Sequence, residues 1–254
     1  MKCFCCQSND VELPPFKLEG YLFCRNCGFL FKPGRASEVK RQQMARHYEF
    51  ADPHEAVAKS KQTFFNFALN QLPDPKNKNL SLLDVGCGYG YFLQKAAHRG
   101  WQTTGVEIVE EAVRKSQKIA EFSNVYHGTL IKASFSSNSF DVITLWDVMV
   151  FVEDPVAELR ECYRLLKGGG KIGIRLRNST FQKILYFLYK PLQGIFAKWG
   201  MRKPFVFHQY SFSSDSIYYL LSRLGYRKVQ IQNSPLTHGD PYGHAKQKNL
   251  VKSV

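Results

Sequence analysis

From residue 80 onward the chain alternates short apolar runs with segments of helical periodicity. LSLLDV, WQTTGVE, SNVYHG, FDVITLW and GKIGIRL are β-branched or apolar runs of strand length, while GYFLQKAAHRG and DPVAELRECYRLLKGGG repeat their apolar positions every three or four residues. That order predicts parallel strands joined by crossover helices, hence a doubly wound α/β sheet whose ligand lies beyond the carboxyl ends of its strands. A second helical pattern, FQKILYFLYKPLQGIFAKWG (181–200), follows the fifth run. Phe181, Ile184, Leu185, Leu188, Leu192, Ile195, Phe196 and Trp199 recur at helical spacing, Lys183, Lys190 and Lys198 interrupt them, and Pro191 predicts a break. We read residues 178–212 as an inserted lid packed over an acceptor pocket; the alternative is a helix lying on a membrane surface with its lysines at the head groups.

The first 79 residues follow a different pattern. Residues 1–34 hold five of the seven cysteines, and residues 35–79 are polar, helical in spacing and closed by Pro73 and Pro75. The chain therefore divides into a cysteine module (1–34), a helical linker (35–79) and an α/β domain (80–254). With 254 residues, 44% of them hydrophobic, it can bury a full core. No later segment runs 18 residues without a charge or proline, and MKCFCCQSND lacks a basic stretch leading into an apolar one. The expectation is a cytoplasmic protein with no transmembrane segment.

In that compartment clustered thiols indicate metal chemistry rather than a disulfide framework. Cys3, Cys6, Cys24 and Cys27 form C-x2-C-x17-C-x2-C, the spacing of a four-thiolate zinc site on two knuckles, with Cys5 as the spare. So short a module has too little core to fold alone, and a bound metal would supply its stability. Charge adds a second asymmetry. Residues 80–175 balance eleven Lys and Arg against eleven Asp and Glu, whereas residues 176–254 carry twelve against two. A basic field of that kind attracts phosphates on a nucleotide-linked sugar, a lipid head group or RNA without choosing among them.

LLDVGCGYGYF (82–92) closes the first strand with Gly86, Gly88 and Gly90 at alternate positions. A dinucleotide fingerprint would need its third glycine at position 91, which is Tyr91. The observed D-x-G-x-G-x-G resembles motif I of class I S-adenosylmethionine-dependent methyltransferases. The resemblance continues through Glu107 at the end of TTGVEI, through GTLIKASFSSNSFDVITLWDV and into LRECYRLLKGGGKIGI, spanning residues 80–232. It implies a Rossmann-like, seven-stranded sheet with a small zinc-binding module before it. It further implies that Asp84 orients the methionyl ammonium, that Gly86, Gly88 and Gly90 admit the ligand to the backbone, and that Glu107 accepts the ribose hydroxyls. Ile108 and Leu130 would flank the adenine, and Trp146 would line the floor near the sulfonium. Taken singly, Asp84 is as readily a helix cap and Trp146 a core residue; the spacing of the set favours the cofactor roles.

Relatives often read Leu-Glu-His where this chain has Met149, Val150 and Phe151, and Val150 and Phe151 cannot coordinate a cation. Metal-assisted catechol methylation is therefore disfavoured, with Asp147 left as an acceptor near the cleft. FVFHQYSFS (205–213) resembles a segment that faces the methyl acceptor, making His208 the candidate base and Tyr210 the second. YLFCRNCGFLFKPGR resembles the zinc ribbon that precedes motif I in bacterial methyltransferases acting on nucleotide sugars and glycans, and also in certain rRNA methyltransferases. Three readings follow: a methyltransferase for a small or carrier-linked anionic acceptor such as a sugar, glycan or lipid intermediate; an RNA base methyltransferase; and a zinc-containing binding protein on a non-catalytic fold.

Overall fold

The computed structural model describes residues 1–16, 18–34, 54–76, 78–120, 124–199 and 203–235, the side chains of 54–59 excepted. The described residues form two compact units. One draws on residues 1–34, 147–163 and 175–231, the other on residues 54–146, 164–174 and 232–235.

The second unit is built on five strands: β4 (Ser81–Val85), β5 (Gln102–Glu107), β6 (Asn124–His127), β7 (Phe140–Trp146) and β8 (Leu166–Arg175), in the order β6-β5-β4-β7-β8. β4 runs parallel to both β5 and β7, and β5 parallel to β6. Leu82, Leu83, Val142, Ile143 and Leu145 are wholly buried, because a parallel sheet is covered on both faces. The sequence implies seven strands; five are present in this sheet among the described residues, and Tyr210–Ser211, which falls after β8, pairs elsewhere. The segment expected to be a linker holds helix α1 (His54–Gln71), whose Phe64, Phe65, Ala68 and Leu69 form one helical stripe. That stripe packs with Leu82, Phe92, Leu93, Ala96 and Trp101, so α1 is part of this core. Residues 35–53 of the expected linker lie outside the described residues. Helices α2 (Tyr91–Ala97) and α3 (Glu110–Ile119) follow β4 and β5 as crossover connections.

In the first unit β1 (Val11–Glu12), β2 (Leu22–Cys24), β3 (Leu30–Phe31) and β9 (Tyr210–Ser211) make an antiparallel sheet in that order, with Leu30 opposite Ser211 and Phe31 opposite Tyr210. Strands of two or three residues bury little, and aromatic packing compensates. Phe29 stacks on Phe31 at 5.1 Å, Phe4 meets both edge-on at 4.9 Å, and Phe212 closes on Phe29 at 5.0 Å. The third strand of the cysteine module takes its partner from residues 210–211. The unit also contains α4 (Pro155–Leu165), which runs on past it at its last turn, and α7 (Ser214–Arg223), whose start carries a capping box between Ser213 and Ser216.

The insertion forms α5 (Ser179–Tyr189), a 3-10 turn over Lys190–Leu192 that contains Pro191, and α6 (Gln193–Lys198). Ser179, Gln182, Tyr186 and Tyr189 are the buried face of α5, while Phe181, Ile184 and Leu188 of the apolar stripe are exposed. Tyr186 packs with Phe16 and Leu30, and with the partly buried Phe205 and Phe207, and the Gln182 side-chain carbonyl accepts from Val206 N–H at 2.8 Å. Aromatic rings and a satisfied amide fill the inner contact, which turns the aliphatic stripe outward. Among the described residues no helix is long and apolar enough to cross a membrane.

Candidate active site and thiolate cluster

Asp84, the three glycines, Glu107 and Ile108 lie in the second unit at the carboxyl ends of β4 and β5, while Leu130 follows β6 and Trp146 ends β7. Gly86, Gly88 and Gly90 all have positive φ, near 71°, 56° and 76°. Their reasons for being glycine differ. A Cβ on Gly90 would lie 3.0 Å from Ala120 and 3.2 Å from the Ser116 side chain, so this glycine lets the turn close on α3. A Cβ on Gly88 would meet nothing within 4 Å, which leaves its backbone open to an approaching group. Gly86 and Cys87 donate their N–H groups to the Val106 carbonyl, tying the turn to β5. Cys87 is buried and its thiol is pushed well up by burial, which fits a packing role.

Two buried carboxylates flank this turn. Asp84 is 3% exposed, and Thr144, its register partner on β7, donates its hydroxyl to Asp84 Oδ1 at 2.6 Å. Burial raises the Asp84 carboxyl to about 7; the Thr144 hydrogen bond and the positive charge of Lys61 oppose that rise, and the charge of Glu107 adds to it. Glu107 closes β5 and is held by three backbone donors: Ile108 N–H and Val109 N–H reach Oε1 at 2.8 and 2.9 Å, and Gly88 N–H reaches Oε2 at 2.9 Å. Burial still carries its pKa upward against those donors. Ile108 is exposed beside it, whereas Leu130 is fully buried. Trp146 meets Phe64 and Phe92 edge-on at 5.1 and 5.3 Å, and a Cβ on Gly173 would lie 2.8 Å from its ring. Its Nε1–H is buried without a hydrogen-bond partner among the described residues, an arrangement that costs on the order of 1–3 kcal/mol unless a ligand accepts from it.

The catalytic candidates belong to the first unit. Asp147 has φ 63°, a strained value for a residue with a side chain, and is held there by its N–H donating to the Arg175 carbonyl at 3.1 Å and by Arg175 Nη1 lying 3.5 Å from its Oδ2. His208 packs its ring edge-on against Phe151 at 5.0 Å. Burial lowers its pKa to about 4, the positive charge of Arg177 lowers it further, and the Asp147 carboxylate opposes both. Tyr210, the second candidate, lies two residues further on. Its ring is buried in β9 and its hydroxyl donates to the Glu153 carbonyl at 2.8 Å, so the phenol fastens a loop to the backbone. The sequence reading did not single out Thr144, Arg175 or Arg177. Arg175 ends the run GKIGIR, where a charged residue at a strand's carboxyl end was the available signal.

Cys3, Cys6, Cys24 and Cys27 converge, with all four sulfurs within 4.8 Å of one another. Cys3 Sγ lies 3.7 Å from Cys27 Sγ, and Cys6 Sγ lies 3.6 Å from Cys24 Sγ. A tetrahedron of thiolates bound at about 2.3 Å has edges near 3.8 Å, so the separations match a zinc-sized ion. Cys5 is buried beside them.

A glycine turn at the end of a buried parallel strand, with one carboxylate in that strand and a second closing the next, is the arrangement that the resemblance to class I S-adenosylmethionine-dependent methyltransferases implies. The chain belongs to the methyltransferase domain family, whose model matches residues 37–231. It is similar to the ubiquinone biosynthesis O-methyltransferase of Xanthomonas oryzae pv. oryzae, with 34% identity over 104 residues, covering 39% of this chain and 44% of the relative. The protein of the same name from Idiomarina loihiensis is 36% identical over 111 residues, covering 41% and 45%. The matched stretches thus span less than half the length of these curated relatives. Among solved structures, an S-adenosylmethionine-dependent methyltransferase from Archaeoglobus fulgidus is similar with a TM-score of 0.49 and 22% identity, over 65% of this chain and 69% of the other.

Proposed function

We propose that this chain transfers the methyl group of S-adenosylmethionine to an oxygen of a small or carrier-linked anionic acceptor, and that Cys3, Cys6, Cys24 and Cys27 hold a structural zinc ion. The first part rests on one observation above the rest: two buried carboxylates, Asp84 and Glu107, around an open glycine turn. S-adenosylmethionine supplies a methyl group made electrophilic by its sulfonium. Asp84 offers an acceptor to the methionyl ammonium, and Thr144 fixes the direction in which it points. Glu107 Oε1 already accepts two backbone N–H groups and Oε2 one, so a single acceptor position remains for a ribose hydroxyl. Accepting both hydroxyls would require the carboxylate to release a backbone donor. Exposed Ile108 offers an apolar face to the adenine, and the Trp146 N–H offers a donor to the methionyl carboxylate.

On the acceptor side, Arg175 and Arg177 outweigh the single carboxylate of Asp147, a balance that favours an anionic group. His208 is uncharged at neutral pH and accepts a hydrogen bond from an acceptor hydroxyl; Asp147 offsets the charge if the proton moves to the ring. Transfer from a sulfonium depends chiefly on in-line positioning, so a weakly basic histidine suffices. The oxygen acceptor follows the name of the curated relatives, and the anionic one follows the two arginines. The four sulfurs would stabilise the first unit as zinc thiolates, with no part in the transfer.

The test has two stages. Calorimetry on metal-loaded protein stripped of carried-over ligand should detect association with S-adenosylhomocysteine; folded protein that shows none refutes the methyltransferase reading. Turnover of labelled S-adenosylmethionine against fractionated extract then selects the acceptor. Label that enters small polar or lipid products supports the proposal, and label abolished by RNase replaces it with RNA methylation.

A further inference from the structure

Helix α5 buries its more polar side and exposes its more apolar one. Ser179, Gln182, Tyr186 and Tyr189 occupy one side and are buried, while Phe181, Ile184, Phe187 and Leu188 face the opposite side and are exposed. Stacking of Phe196 on Tyr189 at 5.1 Å fixes the side of α6 that turns inward. Leu192, Ile195 and Trp199, spaced by three and four, are left outward. These seven large apolar side chains keep between 45 and 72% of their surface exposed within nineteen residues. Isolated exposed leucines are ordinary, but a contiguous patch of this composition marks a surface that meets something apolar.

The charges around the patch indicate what that is. Between Glu161 and Asp215 the chain carries ten Lys and Arg and no Asp or Glu. Arg177, Lys190, Lys198 and Lys203 are exposed within or beside the two helices, whereas Lys183 lies over the Phe23 ring and serves the interior. A docking protein would offer apolar side chains with carboxylates placed at particular points. A bilayer offers a continuous apolar layer under a continuous sheet of negative charge, which matches exposed apolar side chains on a stretch of chain that carries cations and no carboxylate. Trp199, the most exposed of the seven, is of the residue type that settles at that boundary. Beside the patch, Phe16, Tyr186, Phe187 and Pro191 line an apolar recess of about 360 Å³ with Lys190 among its walls. That pairing of apolar room and ammonium complements the acyl carbons and phosphate of one phospholipid.

We infer that α5, the turn at Pro191 and α6 form a platform that lies on the surface of an anionic membrane, with Phe187, Leu188, Leu192 and Trp199 in the acyl boundary and Lys190, Lys198 and Lys203 at the head groups. The platform accounts for the outward direction of the stripe, which packing among the described residues does not use. It does not depend on the methyl-transfer reading, because its readout is vesicle binding by the full chain.

The experiment compares vesicles of pure phosphatidylglycerol with vesicles of pure phosphatidylcholine in sedimentation, alongside the emission of Trp199. Trp101 is buried and Trp146 is packed in the core, so a blue shift that disappears in Trp199→Phe reports this segment. The wild-type protein should sediment with phosphatidylglycerol, shift its emission, and release as salt is raised. Leu188→Asp combined with Trp199→Asp should lower the partition by at least about tenfold, and each of Lys190→Glu and Lys198→Glu by roughly fivefold. All four positions are exposed, and an unchanged thermal melt verifies that the variants fold. Absence of binding to phosphatidylglycerol overturns the inference. So does binding that the Asp variants leave unchanged, equal binding to phosphatidylcholine, or a wild-type dimer that Leu188→Asp and Trp199→Asp convert to monomer, since the face would then join two copies of the chain.

Discussion

Asp84 makes ligand affinity a function of pH. Its carboxyl is lifted by burial from the usual 3.8 to about 7, a preference for the neutral form on the order of 4 kcal/mol. A methionyl ammonium placed against it reverses that preference, so binding must expel the proton wherever the free protein holds one. With ionised Asp84 as the competent form, affinity is flat above pH 8 and falls by about tenfold between pH 8 and pH 6, and about half a proton leaves per ligand bound at pH 7. Glu107, also raised by burial, adds to the slope in the same sense. The ligand for this measurement is S-adenosylhomocysteine, whose amine stays cationic to higher pH because no sulfonium charge acts on it. Isothermal calorimetry in buffers of different ionisation enthalpy gives both the dissociation constant and the proton count. Asp84→Asn should bind more weakly at pH 8 and lose most of the pH dependence. Equal affinities at pH 6 and pH 8 in the wild-type protein, or no proton release at pH 7, would refute the assignment of the ammonium to Asp84.

The same carboxyl affects stability. Because its folded pKa is raised, the folded state gains stability as pH falls from about 7 toward 4 and loses it as pH rises through 7. Asp84→Asn should therefore be the more stable protein in urea at pH 8, with the difference closing by pH 5. Glu107→Ala should weaken S-adenosylhomocysteine binding by about 1–3 kcal/mol in titration calorimetry. Gly105→Ala would set a methyl group 2.7 Å from Cys87 Sγ and Leu93 Cδ1, beneath the glycine turn, and should cost about 1–3 kcal/mol in urea unfolding. A strong chelator should remove one zinc ion per chain by elemental analysis and lower the melting temperature, and Cys24→Ser should reproduce the effect without chelator.

The α/β alternation and the glycine turn were legible in the sequence because both are local: strand-length runs, helical spacing, and a motif whose residues lie within ten positions. The four cysteines were legible for a related reason, since knuckle spacing survives whatever the chain does between the pairs. Long-range choices were not. Nothing near Tyr210 announces that it will pair with Phe31, and the two-residue strand became visible only through its partner. The outward turn of the 181–199 stripe was hidden because periodicity reports a face without saying which of two faces is buried. The tyrosines and Gln182 that won the inner side read as polar. Thr144 was invisible as a partner of Asp84 because the parallel register joins residues sixty positions apart.

The pairing of Leu30–Phe31 with Tyr210–Ser211 carries a practical warning for anyone trimming this chain. Removing residues 1–34 would strip one side from β9, uncover Phe212 and deprive Ser213 Oγ, five residues after His208, of the Cys27 carbonyl to which it donates. The cysteine segment and the histidine loop share one sheet, so a truncated enzyme with poor turnover would report a frayed hem near residue 210 rather than a missing catalytic group.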